Sequence, residues 1–368
     1  MTSRQDSSKT GSIRPSIVDV ESLAGLFHPH AIEVQEFSHY ALILDVRSDA
    51  EFNDDHIPGA VRVAPEIVRA GVDSDRLTAG VPAGEGAPAR RVPPALAALV
   101  ESVRLDEAIL VYCGRGGRDS LPLAKALRWA GWTVDVLPGG YANYRRWVLA
   151  GVETLPRCID VRVVATALGS EAARVLAALA TAGQQVLDVA ICAGWRPGAL
   201  TPIAGQPSQA LFESRLLQAL RQFDPRRPVW AADGGRQWGR VSLPGALMDA
   251  LTHAPTVALT CPLAERLACW CEDEPVLQQP VEAIIEAIGA ASPPPDPQLI
   301  AACRGPSDKS RLLARLIADR DEQARLRQAT RIGDVVSMPA LVTKTLAPDG
   351  LREAILAWLP QAVPALHA

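Results

Sequence analysis

The sequence lacks the long apolar runs that a membrane-spanning helix requires. No stretch approaches 18 uninterrupted apolar residues, and the N-terminal segment MTSRQDSSKTGS is polar. We therefore expect neither a membrane span nor a secretory signal. Wholesale disorder is also excluded, because 48% of the residues are hydrophobic and only 21% are charged. The length of 368 residues predicts two domains and a smaller third piece.

A disulfide framework is missing as well. The seven cysteines are an odd number and are widely spaced in a long chain. A reducing cytoplasm is therefore the expected location. Cys261, Cys269 and Cys271 lie close together, but no His or fourth Cys stands at zinc-finger spacing. We expect no metal site and interpret these three residues as core thiols.

The chain has no surplus of positive charge that would attract nucleic acid from all sides. Its formal net charge is −4, so we expect no DNA partner and look for RNA contacts only in local patches. One such patch lies at 304–331, where basic residues outnumber acidic ones. A solvated helical face explains this run as well as RNA binding does. The candidate RNA contacts are Arg311, Arg315, Arg325 and Arg327.

Strand-like and helix-like segments alternate along most of the chain. This alternation predicts an α/β fold with parallel sheets and right-handed crossovers. A Gly- and Pro-rich stretch at 80–94 is expected to be a surface excursion. Strands are expected at 41–46, 109–112, 133–137, 161–165, 185–191, 228–233 and 254–261, and helices at 95–103, 170–182 and 207–222.

The pattern divides the chain into four segments. A flexible tail is expected at 1–14, a first α/β domain at 15–155 and a second at 156–290. The remaining segment, 291–368, is expected to hold a linker and a helical C-terminal region. Its linker is ASPPPDP (291–297), since consecutive prolines cannot continue a helix.

Cys113 stands on a glycine-rich turn between a buried strand and a helix. The glycines let backbone N–H groups point inward, and the helix N-terminus adds positive potential. Two arginines flank the thiol and favour its ionised form. This combination predicts a nucleophilic cysteine, whereas a structural thiol is the better interpretation of the other six. The candidate anion-binding residues on this loop are Gly114, Arg115, Gly116, Gly117 and Arg118.

Three motifs of the first domain together resemble the rhodanese family. They are LDVRSDAEFNDDHIPGA (44–60), YCGRGGRDS (112–120) and PGGYANYRRW (138–147), and the match spans about 15–150. The resemblance implies a rhodanese-like sheet domain in which Cys113 carries a persulfide or perselenide and the following loop cradles the anion. It also implies that Asp45, Arg47 and the turn at 56–60 support the fold rather than the chemistry.

The second half of the chain extends the resemblance to the tRNA 2-selenouridine synthase family, in which a P-loop domain follows the rhodanese domain. The matching segments are ALATAGQQVLDVA (178–190), GQPSQALFE (205–213) and WGRVSLPGAL (238–247). The resemblance implies that selenium from selenophosphate replaces the sulfur of 2-thiouridine at the tRNA wobble position, by way of a geranylated intermediate. The implied partners are therefore tRNA and a sulfur or selenium donor, and the implied cosubstrates are selenophosphate and geranyl diphosphate. Loading of sulfur onto Cys113 requires no cofactor.

The phosphate loop of that family is altered at all four signature positions in this chain. Counting back from Val175 places the loop on 166–173. Thr166 and Glu171 stand in place of glycines, Ala172 in place of the lysine and Ala173 in place of the hydroxyl that would hold Mg²⁺. We therefore expect no nucleotide-type phosphate binding by this loop. Its residues of interest are Thr166, Gly169, Ser170, Glu171, Ala172 and Ala173.

Three functions follow from these patterns. The first is transfer of sulfur or selenium through Cys113 to 2-thiouridine in tRNA, with the full reaction in question because of the altered loop. The second is a rhodanese-type sulfurtransferase that acts on a thiol acceptor. The third is a non-catalytic module that binds tRNA or protein. The intact Cys113 loop argues against the third, since a binding module has no use for an activated thiol.

Overall fold

The computed structural model describes residues 34–64, 94–114, 117–165, 169–195, 205–273, 280, 309–315, 318 and 338–362. The expected tail at 1–14, most of the excursion at 80–94 and the linker at 291–297 lie outside these ranges. Within the described part, no helix is long and apolar enough to cross a membrane.

The first domain is built on a four-stranded parallel sheet with the order β2-β1-β3-β4. Four of the five residues of β3 are buried, as expected for a central strand covered on both faces. The strands predicted at 41–46, 109–112 and 133–137 are confirmed. The strands are β1 (Tyr40–Asp45), β2 (Val61–Arg62), β3 (Ala108–Tyr112) and β4 (Thr133–Val136).

In the described part of the first domain, four helices accompany this sheet, and a short 3₁₀ helix (Val34–His39) precedes it. The first helix begins at a capping box, because Ser48 accepts a hydrogen bond from the Glu51 amide while the Glu51 carboxylate accepts one from the Ser48 amide. A second 3₁₀ turn (Leu155–Arg157) ends the domain. The helices are α1 (Asp49–Asp54), α2 (Pro94–Val100), α3 (Ser120–Trp129) and α4 (Gly140–Thr154).

The second domain contains a five-stranded parallel sheet with the order β11-β10-β5-β7-β6. A short antiparallel hairpin, β8 with β9, stands apart from it. The strands are β5 (Val161–Ala165), β6 (Gln185–Leu187), β7 (Val229–Ala232), β8 (Gln237–Trp238), β9 (Val241–Ser242), β10 (Thr256–Thr260) and β11 (Leu341–Val342). The helices are α5 (Gly169–Thr181), α6 (Val189–Ala193), α7 (Gln209–Leu220), α8 (Gly245–His253), α9 (Leu263–Asp273) and α10 (Pro348–Ala362).

The strand predicted over 185–191 is wrong in its second half. Strand β6 ends at Leu187, and α6 follows at once. The Asp188 carboxylate accepts hydrogen bonds from the amides of Ala190 and Ile191, at 2.9 and 3.3 Å. This N-cap satisfies amides that have no partner within the helix, so the apolar residues after Asp188 form a helical turn rather than a strand.

The C-terminal segment adds both a strand and a helix to the second domain. Strand β11 pairs in parallel with β10, and α10 packs against α5. The Trp358 ring on α10 lies 5.4 Å from the Trp230 ring on β7, measured between centroids. The described part of 291–368 therefore extends the second sheet as well as supplying the expected helix. A strand of two residues is too short to show a hydrophobic period in the sequence, so β11 could not be predicted from the pattern.

Helix α4 joins the two domains through a shared apolar core. Its residues Val148 and Val152 are buried in one cluster with Phe212 and Leu216 of α7. A Cβ atom on Gly151 would lie only 2.5 Å from Cδ1 of Leu217, so glycine allows the close approach of α7. The helix that contains most of the third rhodanese-like motif is thus packed directly on the second domain.

Candidate active site

Cys113 follows β3 directly, at the carboxyl edge of the first sheet. Its side chain is buried, with 1% exposed. The Ser120 hydroxyl donates a hydrogen bond to the sulfur over 3.5 Å, and Ser120 is the first residue of α3. The sulfur therefore faces the N-terminal end of a ten-residue helix, where the helix dipole stabilises negative charge. This position suits a thiolate or an anionic persulfide.

The loop between Cys113 and α3 requires glycine at one position. Gly117 has a φ of +77°, and a Cβ atom there would lie 3.2 Å from Leu121 Cδ1. Its carbonyl accepts a hydrogen bond from the Leu121 amide at 2.9 Å. Gly114 is half-buried and Arg118 is exposed, while Arg115 and Gly116 lie outside the described residues. The predicted pair of arginines beside the sulfur therefore stays a prediction.

The first turn of α4 holds the Cys113 loop from the other side. The Tyr141 amide donates to the Cys113 carbonyl at 2.8 Å, and the Ala142 amide donates to the Gly114 carbonyl at 3.1 Å. Helix N-terminal amides have no partner within the helix, so the loop carbonyls satisfy them. Gly139, with a φ of +69°, makes the turn that aims the helix at the loop. The motif PGGYANYRRW pointed to this segment, but the role of Tyr141 was missed.

A buried ion pair supports the same edge of the sheet. Arg47 binds Asp45 through Nε and Nη2, with a shortest distance of 2.6 Å, and both side chains are buried. The guanidinium lies 3.8 Å from the centre of the Tyr141 ring. The Tyr112 hydroxyl accepts a hydrogen bond from the Ile57 amide, and burial raises the pKa of Tyr112 far above its usual value. These contacts agree with a framework role for Asp45 and Arg47.

The altered phosphate loop has the same strand–loop–helix arrangement in the second domain. Strand β5 ends at Ala165 and α5 begins at Gly169, with Ser170 in its first turn, while Thr166 lies outside the described residues. The Glu171 side chain is fully buried and accepts a hydrogen bond from Arg266 Nε at 2.8 Å. The exposed fraction of the Arg266 side chain is 7%. An internal carboxylate–guanidinium pair thus lies at the start of α5.

The two residues after Glu171 offer no side chain that can bind a phosphate. Ala172 is buried and Ala173 half-buried, and neither side chain can donate a hydrogen bond. The buried carboxylate would also repel an anion placed beside it. Among the described residues, no group of three or more His, Cys, Asp or Glu side chains could hold a metal ion. These residues do not fit the phosphate of a nucleotide or of geranyl diphosphate.

The other described cysteines differ from Cys113 in position and environment. Burial, and after it the charge of nearby carboxylates, raises the pKa of Cys192 and of Cys261 to about 11. Burial also raises the pKa of Cys271, whereas Cys158 is exposed at the surface. None of these four precedes a glycine-rich loop.

Only part of the basic patch can be located. A helical segment at 309–315 buries Leu312 and Leu313 and exposes Arg311 and Arg315. Arg325 and Arg327 lie outside the described residues. An apolar inner face with basic residues outside fits RNA contact and a solvated helix equally well. Both interpretations of the patch therefore stay open.

The fold consists of a rhodanese-like α/β domain joined to a P-loop-like α/β domain. Residues 31–146 match the family model of the rhodanese-like domain, and residues 159–289 match that of the tRNA 2-selenouridine synthase AAA domain. Curated relatives that match at significant similarity carry the same family name. The chain therefore combines a rhodanese-like domain with a tRNA 2-selenouridine synthase AAA domain, the domain pair by which it resembles that family.

Three of these relatives show the extent of the similarity. The tRNA 2-selenouridine synthase of Nitrosomonas europaea is 27% identical over 63% of this chain and 63% of its own length. That of Verminephrobacter eiseniae is 30% identical over 61% of this chain and 63% of its own length. That of Hahella chejuensis is 31% identical over 43% of this chain and 41% of its own length. The matched region thus spans less than two thirds of these relatives.

Proposed function

We propose that this protein is a transferase that loads sulfur or selenium onto Cys113 as a persulfide or perselenide. A selenium atom loaded in this way replaces the sulfur of 2-thiouridine in tRNA, and the displaced sulfur stays on Cys113 as a persulfide. The resemblance to the family supports the substrate, and the geometry of Cys113 supports the chemistry. The observation that carries the proposal is the position of the Cys113 sulfur, at the end of a buried strand and against the first residue of α3. Since the substrate is tRNA, the proposal includes a cytoplasmic location and no membrane partner.

Loading can be written with thiosulfate as a donor. The Cys113 thiolate attacks the outer sulfur of thiosulfate and forms a new S–S bond. The original S–S bond breaks, and sulfite leaves with its electron pair. The product is a persulfide on Cys113, whose negative charge is stabilised by the helix dipole of α3. The Ser120 hydroxyl holds the inner sulfur in place through its hydrogen bond.

Delivery must overcome the burial of the cysteine. The Cys113 side chain is only 1% exposed, so a nucleoside cannot contact its sulfur directly in this conformation. The terminal sulfur of a persulfide lies ~2 Å beyond Sγ, which extends the reach of the buried residue. Arg118 is exposed close to Cys113 in sequence and supplies a positive charge that favours an anionic donor or the tRNA backbone.

The altered phosphate loop is assigned no step in this reaction. The family implies selenophosphate and geranyl diphosphate as cosubstrates, but the buried Glu171–Arg266 pair and the alanines beside it do not fit a phosphate. We propose that any phosphorylated cosubstrate used by this protein binds elsewhere. No cofactor is needed for loading of sulfur.

The test is intact-protein mass spectrometry after incubation with thiosulfate, and separately with selenosulfate, from which sulfite leaves with its electron pair in the same way. The expected result is a mass increase of one sulfur or selenium atom that is absent in Cys113→Ser and unchanged in Cys158→Ser. The loaded protein is then mixed with tRNA that contains 2-thiouridine or with a small thiol. Transfer to the thiol alone would identify a simpler sulfurtransferase. Failure of wild-type protein to load, or loading that survives Cys113→Ser, would overturn the proposal.

A further inference from the structure

Tyr141 links the Cys113 loop to a buried polar cluster at the boundary between the domains. Its amide donates to the Cys113 carbonyl at 2.8 Å, while its hydroxyl donates to Asp55 Oδ2 at 2.7 Å. The guanidinium of Arg47 covers its ring at 3.8 Å. Backbone, ring and hydroxyl are therefore each held by a different partner. Tyr141 is therefore bonded to Asp55 at its hydroxyl and to the Cys113 loop at its amide, so it connects the two.

The second domain forms a hydrogen bond with Asp54, the residue before Asp55. The Ser208 hydroxyl, which caps α7, donates to the carbonyl of Asp54 and accepts from the Leu211 amide at 3.0 Å. Arg47 Nη2 donates to the carbonyl of Asp55 at 2.6 Å. The end of α1 is thus held by α7 on one side and by Arg47 on the other.

A second interdomain contact lies one turn further along α4 and α7. Arg145 of α4 forms an ion pair with Glu213 of α7, and Ser214 follows Glu213 in the buried boundary. The Ser214 hydroxyl faces both Asp55 and Tyr144 and lowers the pKa of each. Burial nevertheless raises the pKa of Asp55 overall. The Asp55 carboxyl group therefore belongs to a cluster to which both domains contribute.

Stability alone does not account for this cluster. Asp55, Tyr144 and Ser214 are all fully buried. Asp55 Oδ1, Tyr144 OH and Ser214 Oγ face one another but form no hydrogen bond of good geometry among the described residues. Buried polar atoms that are poorly paired are destabilising, and apolar side chains would pack there at lower cost. The Asp55 carboxylate is the member of this cluster that binds Tyr141 and so reaches the Cys113 loop.

We propose that Tyr141 is a positioning residue through which the second domain orients the Cys113 loop for loading. The proposal rests on the function proposed for Cys113 and deepens it. Docking of α7 fixes Asp54 and Asp55, Asp55 fixes the Tyr141 hydroxyl, and the Tyr141 amide fixes the Cys113 carbonyl. The second domain thus contributes to sulfur chemistry although its phosphate loop is altered.

The first test compares two tyrosines on the same helix. Tyr141→Phe removes the hydroxyl that binds Asp55, whereas the matched control Tyr144→Phe removes a buried hydroxyl on the same helix that forms no hydrogen bond of good geometry among the described residues. We expect Tyr141→Phe to lower the loading rate at saturating thiosulfate about tenfold, because small misplacements of a nucleophile are costly. The KM for thiosulfate and the thermal midpoint should stay close to those of the control.

The second test asks whether the effect comes from the second domain. Glu213→Gln breaks the ion pair with Arg145 and should lower the loading rate in the same direction. In the double variant with Tyr141→Phe, the loss should be smaller than the product of the two single losses, since both act on one contact chain. Independent, multiplicative losses would remove the second domain from the proposal.

The outcomes separate this proposal from the proposed function. If wild-type protein loads sulfur and Tyr141→Phe matches Tyr144→Phe, the positioning role is wrong while the transferase remains. If wild-type protein does not load, the transferase fails, and the rate of Cys113 alkylation in a Cys158→Ser background gives the same comparison between the tyrosines. A rate loss explained wholly by a smaller folded fraction would also overturn the positioning role.

Discussion

Two strand–loop–helix turns lie at the carboxyl edges of the two parallel sheets. One places a sulfur that can carry negative charge at a helix N-terminus, and the other places a carboxylate that is already paired with an arginine. The turn from β3 to α3 carries Cys113, with the Ser120 hydroxyl directed at its sulfur. The turn from β5 to α5 leads to Glu171, whose carboxylate is paired with Arg266 inside the protein. Backbone topology supplies a helix N-terminus in both. The side chains decide whether an external anion can use it.

The largest expected difference concerns the reactivity of thiols. In a Cys158→Ser background, which removes the exposed cysteine, Cys113 should be alkylated by limiting iodoacetamide before Cys192 and Cys261. The pKa of each of these two is raised to about 11, so only about one in 10⁴ of their thiols is ionised at pH 7. Peptide mapping measures the order of labelling. First labelling at Cys192 or Cys261, with Cys113 inert, would contradict the assignment of the nucleophile.

A second prediction concerns the ion pair in the altered loop. Glu171→Ala leaves the buried Arg266 guanidinium without its carboxylate and should lower the free energy of unfolding by about 3–5 kcal/mol. Urea denaturation gives this value. The control is the double variant Glu171→Ala with Arg266→Met, which should recover most of the loss. A loss below about 1 kcal/mol in the single variant would show that the pair is dispensable.

A third prediction concerns Arg118 on the Cys113 loop. Arg118→Ala should lower the rate of thiosulfate loading about fivefold, the size expected when an exposed charge near an anion is removed. The free energy of unfolding should change by no more than about 0.5 kcal/mol. Arg104→Ala is a suitable control, since Arg104 is exposed and pairs with Asp106. Equal loading rates in the two variants would remove the electrostatic role of Arg118.

The smallest expected effect is the absence of binding at the altered loop. Isothermal titration calorimetry with ATP, GTP or geranyl diphosphate at millimolar concentration should show no saturable heat. A dissociation constant below about 1 mM requires more than about 4 kcal/mol of binding free energy, which alanines beside a buried carboxylate cannot supply. Tight binding that persists in Glu171→Ala would mean that another loop has taken over the phosphate.

The parts of this protein that sequence patterns revealed are local ones. The Cys113 turn was predictable because strand, thiol, glycines and helix lie within one contiguous segment. The altered loop was recognisable for the same reason, from Thr166 to Ala173. The strand predicted through 191 failed because the cap at Asp188 outweighed an apolar run. Strand β11 escaped detection because two residues carry no periodicity.

The amino-acid sequence by itself determined the α/β alternation, the position of the candidate nucleophile Cys113 and the alteration of the phosphate loop, since each depends on neighbours along the chain. Only the tertiary structure decided which side chains contact these residues. The Glu171–Arg266 pair joins residues 95 positions apart, and the Tyr141–Asp55 hydrogen bond joins residues 86 positions apart. Such contacts arise when helices and sheets pack, because packing brings together side chains whose separation along the chain carries no signal.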